Sequence, residues 1–430
     1  MTASHAGLRI PDAIAQTLVT PAAYADDRIH DAYRWLRANN PLGVAEPEGF
    51  DPFWVVTRHA DILEVSRQND LFHNGDLATT LTDRAADARS RAVTGGSPHL
   101  VLSLVQMDAP DHPKYRALTQ AWFMPANLKR LETRVREIAR AAVDSLAARG
   151  GGSCDFVAAL AMGYPLHVIM EILGVPSSDE PRMLRLTQEL FGAQDPDMAR
   201  AIGQMTAEQY SAALHMVVAD FANYFRAIST DRRAHPRDDL ATLIANAQVD
   251  GEPLSDIAST GYYTIVATAG HDTTSSSTAA ALQALAGNPD EFARVKADPS
   301  LIPGLVEEAI RWATPVKTFM RSATEDAEIA GRKIAAGDWL MLCYASGNRD
   351  EAVFEEPYVF RSDRKPNKHL SFGYGAHLCL GQHLAKMEMR ILFEELLPRL
   401  ASLEPDGEAK LTQSWFVNGL KSLPLRFSLV

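Results

Sequence analysis

The run Phe372-Gly373-Tyr374-Gly375-Ala376-His377-Leu378-Cys379-Leu380-Gly381 restricts this chain more than any other ten residues. It places one thiol among an aromatic ring, three glycines and a histidine, directly ahead of a long amphipathic stretch. That stretch, Leu380 to Leu400, reads LGQHLAKMEMRILFEELLPRL, with apolar residues near helical spacing. The spacing predicts a helix with Cys379 at its N-terminus, where the positive end of the helix dipole favours thiolate over thiol. Gly375 can take the positive φ that a tight loop needs.

A lone cysteine is more often a small buried apolar residue than a ligand. Here its neighbours argue for ligation. Gly381 has no Cβ, so a flat porphyrin could lie close to the helix. Phe372 can shield the sulfur, and His377 can donate a hydrogen bond to a haem propionate. A thiolate ligand pushes electron density onto haem iron and favours O–O cleavage.

Helical patterns dominate the chain. They cover Asp31–Asn39, Ala60–Arg67, Asp111–Phe123, Asn127–Arg149, then 155–174, 180–194, 206–228 and 238–246. Ser255–Gly287 reads as one very long helix and Leu301–Ala313 as another. Short strands are expected at Phe53–Thr57, Glu328–Ala330, Lys333–Ile334 and Trp339–Tyr344. Two stretches look irregular: Phe72–Val105, which suits a binding loop, and the polar Asn348–Lys368. No linker divides the 430 residues, so a single large, mainly α domain of about a dozen helices with small β-sheets is expected.

Composition narrows the function. Forty-two basic against 54 acidic residues leave a net charge of −12, which argues against nucleic acid as a partner. Cys154, Cys343 and Cys379 lie far apart, so neither a disulfide framework nor a zinc-binding CxxC pair is suggested. The N-terminus shows no signal-peptide core, and Phe156 to Val175 is interrupted by Pro165, His167 and Glu171. A cytoplasmic protein without a membrane span is expected.

Two further patterns carry chemistry. The long helical stretch contains Ala269-Gly270-His271-Asp272-Thr273-Thr274. Gly270 weakens the helix, and a threonine can bond the carbonyl four residues back and bend it; here Thr273 would bond Ala269. A carboxylate gated by a hydroxyl, Asp272 with Thr273, can deliver protons into a dry pocket. Glu308 and Arg311 lie three apart and share a helix face; alone, such a pair is usually a solvated ion pair worth little.

Together these segments resemble the cytochrome P-450 family of haem-thiolate monooxygenases, in its order and spacing over nearly the whole chain. The resemblance implies that family's fold, with haem b buried between the long central helix and the cysteine-loop helix and Cys379 as the axial thiolate. It implies Asp272 and Thr273 as the catalytic acid–threonine pair. His112, Arg116, Arg321 and His377 are the implied propionate ligands, with Phe372 and Gly373 beside the haem. Glu308, Arg311 and Arg364 form the implied structural triad, although Arg361 stands where the family more often has an acidic residue. Thr268–Ser277, Tyr164–Val168 and Cys379–Met389 look like the bacterial terpineol-hydroxylating subfamily.

A substrate pocket is expected under Phe72–Val105 and the 190–215 region. Its walls are expected from Ile265, Thr268, Ala269, Val316, Thr318, Phe319 and Phe416, implying a small hydrophobic substrate. No GxGxxG follows an expected strand, so electrons must come from elsewhere. The resemblance implies an iron–sulfur ferredoxin with its NAD(P)H-dependent reductase, which Lys129, Arg130, Lys368 and Lys386 could dock. A monomer is expected. Competing readings are a peroxide-driven peroxygenase or haem-thiolate isomerase, a non-catalytic haem protein, and a transferase using Cys379 with His377 or His383.

Overall fold

The long helix expected over Ser255–Gly287 is two helices, Asp256–Ala269 and Asp272–Ala286, in a computed structural model describing residues 7–192, 194–198 and 207–430. Ser255 starts the first by accepting from the Ala258 N–H at 3.2 Å. The break has a local cause. Thr273 Oγ1 donates to the Ala269 carbonyl at 2.8 Å, a side-chain bond that competes with the backbone ladder. His271 leaves helical geometry at φ −104°, ψ −66°. Gly270 is required by packing, since a Cβ there would meet Ile169 Cγ1 at 2.6 Å.

The cysteine helix runs over Gln382–Leu396, beginning two residues later than Leu380. Leu397–Arg399 form a 3₁₀ turn that leads into the strand Leu400–Pro405. The helix buries Leu384, Met389, Ile391, Leu392, Phe393 and Leu396 against helices Pro125–Ala147 and Ile302–Ala313. Pro125 opens the former at a position that needs no N–H. Leu128, Val135, Ile138, Ala139, Val143 and Leu146 make its apolar stripe.

The Phe72–Val105 segment, expected to be irregular, contains a helix at Arg84–Thr94. None of its residues is buried, so hydrophobic periodicity gave no sign of it. Caps hold it instead: Asp83 accepts from the Ala86 N–H at 2.8 Å, and Gly95 ends it at φ +72°.

The larger sheet has the order Leu42–Ala45, Phe53–Val56, Trp339–Cys343, Thr318–Ala323, Phe72–His73. All pairings are antiparallel except Trp339–Cys343 with Phe53–Val56. The strand Thr318–Ala323 escaped the sequence reading because it is covered on both faces and lacks polar–apolar alternation. The two-stranded pair Lys410–Leu411 and Leu420–Ser422 carries the intervening Trp415–Val417 to the main cavity. Among the described residues no helix is long and apolar enough to cross a membrane.

Candidate active site

A cavity of about 760 Å³ lies between the Asp256–Ala286 helix pair and the cysteine loop. Cys379, Phe372 and Gly373 line it from one side, Ala269, Gly270 and Thr273 from the other. The loop is built backwards from its hydrogen bonds. The Cys379 N–H donates to the Phe372 carbonyl at 2.8 Å, closing the turn around the thiol. Gly375 sits at φ +72°, where a Cβ would come within 2.1 Å of the Ser66 carbonyl oxygen, so both conformation and space require glycine. Burial pushes the Cys379 thiol up; the Gly381 and Gln382 N–H groups and the charges of Arg116 and Lys386 oppose it. Those two N–H groups belong to the start of the cysteine helix and its cap. They serve the sulfur although Cys379 itself lies outside the helix.

The four expected basic groups, His112, Arg116, Arg321 and His377, line the same cavity, as does His99. His112 and His377 pack ring to ring, with centroids 4.2 Å apart and tilted by 37°. Arg116 Nη2 donates to the Leu378 carbonyl at 2.7 Å, and Arg321 Nη1 to the Met320 carbonyl at 2.7 Å. His377 Nε2 stands 3.9 Å from Asp108 Oδ1. Burial, with the nearby charges of His377 and Arg116, lowers His112 to about 4. His112 Nε2 is buried without a partner.

The pair Glu308 and Arg311 is completely buried, not solvated. Arg311 grips Glu308 at 2.7 and 2.8 Å. Arg364 Nε reaches both carboxylate oxygens at 3.1 Å, and the Arg361 N–H and Asn367 Nδ2 add donors at 3.0 and 3.1 Å. Arg364 also donates to the carbonyls of Glu355, Glu356 and Val359, so this cluster ties the irregular 348–368 segment to the helix Ile302–Ala313.

Of the expected pocket residues, Ile265, Thr268, Ala269, Val316, Phe319 and Phe416 line the cavity. Thr318 does not. It lies in a strand and donates its hydroxyl to the Trp415 carbonyl at 3.0 Å, holding the loop that presents Phe416. Phe416 meets Phe319 and Phe191 edge-on at 5.4 and 6.0 Å. The roof includes Thr79, Leu81, Val101, Leu190 and Leu214; residues 193 and 199–206 of the expected roof lie outside the described residues.

Asp272 and Thr273 face different spaces. Thr273 lines the main cavity, whereas Asp272 lines a second cavity of about 330 Å³ with Ser275, Ser276, Lys410 and Lys421. The sequence reading missed Glu388. It lies on the inward face of the cysteine helix between Leu384 and Leu392, lines the main cavity, and is pushed well above the usual carboxylate range by burial, opposed by Thr274. Its position on an apolar helical face was the available signal.

The family model for cytochrome P450 matches residues 81–429. This chain belongs to the cytochrome P450 family. It is 48% identical to Cytochrome P450-terp from Pseudomonas sp over 421 residues, 97% of this chain and 98% of that one. It is 32% identical to linalool 8-monooxygenase from Pseudomonas putida over 94% of this chain and 97% of that one. The crystal structure of CYP108D1 from Novosphingobium aromaticivorans superposes with a TM-score of 0.90 at 49% identity, covering 98% of this chain and all of that one. The protein is a P450 monooxygenase with haem as cofactor, O₂ as co-substrate and redox partners as electron source. Its residues fit a haem. The partnerless His112 Nε2 is a buried polar atom awaiting an acidic group, three further basic side chains converge on the same cavity, and a Cβ on Gly381 would meet nothing within 4 Å.

Proposed function

We propose that this P450 hydroxylates a small hydrophobic molecule, inserting one atom of O₂ into a C–H bond. The substrate class is a monoterpene alcohol or a similarly sized aromatic or alicyclic hydrocarbon. An iron–sulfur ferredoxin and its NAD(P)H-dependent reductase supply electrons to haem b, and the chain acts as a one-domain cytoplasmic monomer. The observation that carries this reading is one cavity that brings together the Cys379 thiol, the basic His112, Arg116, Arg321 and His377, and the apolar Ile265, Val316, Phe319 and Phe416. The likeness to Cytochrome P450-terp and to linalool 8-monooxygenase supports the substrate class.

The bound haem would supply oxygen activation tuned by a thiolate ligand. Cys379 would hold the haem iron through its sulfur, in a loop closed by the Cys379 N–H bond to the Phe372 carbonyl. His112, Arg116, Arg321 and His377 would hold the propionates. Arg and His⁺ donors suit carboxylates, and a propionate beside His112 would restore its proton. Phe191, Phe319 and Phe416, with Ile265 and Val316, exclude water and orient the substrate by shape. Thr273 lines the cavity with its hydroxyl bonded to the Ala269 carbonyl and Asp272 collects protons on the other side of the helix break, so together they deliver protons without opening the apolar side. Lys129 and Lys368 are exposed, while Arg130 pairs with Asp238 and Lys386 with Glu307. Ferredoxin docking rests chiefly on the first two.

A titration of monoterpene alcohols and alicyclic and aromatic hydrocarbons against the ferric protein tests the substrate class. A low-to-high-spin shift with micromolar affinity for one class, and its hydroxylated product on supplying ferredoxin, is the expected result. Shifts only with large lipids or steroids would overturn it.

A further inference from the structure

His271 separates Gly270 from Asp272, and the relay described above gives it no task. Its side chain is completely buried. Nε2 lies 3.1 Å from the Met162 carbonyl oxygen. A carbonyl only accepts, so Nε2 carries a hydrogen and Nδ1 of the neutral ring presents a lone pair. That lone pair faces Asp272 Oδ1 at 3.1 Å. The approach is off-line for a finished hydrogen bond, Nδ1 has no other partner, and Asp272 Oδ2 is buried without one. Two acceptors at this distance oppose each other unless a proton lies between them.

We propose that His271 and Asp272 hold one proton in common, making His271 a positioning residue that keeps the relay acid loaded. The inference rests on the proton-relay reading of Asp272 and Thr273. In the relay the shared proton moves from Nδ1 onto the Asp272 carboxylate and on towards Thr273, leaving Asp272 ionised and His271 as the neutral Nε2–H form. A proton from water in the smaller cavity, where the Asp272 side chain is 24% exposed, then restores the pair. One proton leaves on the Thr273 side, one arrives on the Asp272 side, and no electrons move.

The charged surroundings are consistent with this. Across the smaller cavity stand Lys410, Lys421 and Asp197. Lys421 is already held by Asp195 and Asp197 at 2.7 to 2.9 Å, while Asp272 lies against His271. The helix Gly163–Leu173 and its cap offer His271 the Met162 carbonyl, and Glu388 with Thr274 faces the other cavity.

The test is ¹⁵N NMR of histidine-labelled holoprotein in its diamagnetic ferrous–CO form, with His271→Gln assigning the signal. The expected result is an Nε2–H tautomer at alkaline pH and an imidazolium at acidic pH whose population falls at least tenfold in Asp272→Asn. An Nδ1–H tautomer, or a titration that ignores Asp272→Asn, overturns the shared proton. In turnover, His271→Gln keeps a donor for Met162 but cannot hold the second proton. Product per electron should fall severalfold and one ionisation should leave the pH profile of coupling, with haem content and substrate spin shift unchanged. Wild-type coupling and pH profile in that variant overturn the positioning role. The relay itself fails separately, if Thr273→Ala remains fully coupled; the NMR result stands apart from that outcome.

Discussion

Glu308 and Asp272 are both carboxylates on helices that flank the main cavity, and the fold treats them in opposite ways. Glu308 is fully buried and every lone pair is occupied, by Arg311, Arg364, the Arg361 N–H and Asn367. Asp272 has one oxygen against His271 and the other buried without a partner. Leaving a buried acceptor unpaired costs about 1–3 kcal/mol. The fold bears that cost where a proton must come and go, and avoids it where a charge only holds the backbone in place.

The largest expected effect breaks the comparison if it is absent. Glu308→Ala leaves Arg311 and Arg364 as buried unpaired charges and should destabilise the protein by about 3–5 kcal/mol. Asp272→Asn should change stability by less than about 1 kcal/mol. Equilibrium denaturation with haem content as a second probe compares the two, and equal losses would end the distinction. Next comes Thr273→Ala. It should keep haem and substrate binding, yet lower product formed per O₂ by about 10²-fold as electrons go to peroxide, read by oxygen and peroxide electrodes.

Gly375→Ala sharpens the picture of the ligand loop. The left-handed conformation alone costs about 1–2 kcal/mol, and the approach to Ser66 adds to it, so the denaturation midpoint should fall and haem should be lost earlier. The pH dependence of the haem-free protein probes the propionate end. His112 is lowered in the folded protein to about 4, so between roughly pH 4 and its ordinary 6.5 the unfolded chain binds more protons. Stability should therefore fall as pH drops through that window, and His112→Gln should flatten part of the slope in pH-jump denaturation curves. The smallest effect is Thr318→Val, which should cost about 1 kcal/mol through the lost bond to Trp415 while barely moving substrate affinity. Phe416→Ala, on the cavity wall, should weaken substrate binding with a smaller effect on folding.

Where a local pattern coincides with a structural role, the sequence was readable. The positive φ at Gly375, the face shared by Glu308 and Arg311, and the apolar stripe of the cysteine helix each carry their cause in nearby residues. The distal side was harder. The Gly270–Thr273 distortion was foreseen, but not that it divides the helix in two; the approach of Ile169, which excludes any Cβ at Gly270, comes from elsewhere in the chain and left no local sign. Nor does the order Asp272-Thr273 reveal that the two face separate cavities. The Arg84–Thr94 helix, having no buried face, is specified by its caps. Thr318 reads as pocket wall and is instead a strut, since strand alternation in a strand buried on both faces assigns no direction to it.

The carbon monoxide difference spectrum of the purified, reduced protein tests the central claim, thiolate ligation by Cys379, most directly. A strongly red-shifted Soret band, abolished in Cys379→His without loss of haem, is the predicted result. A band at the position typical of histidine ligation in the wild-type protein, or no haem band at all, would contradict it.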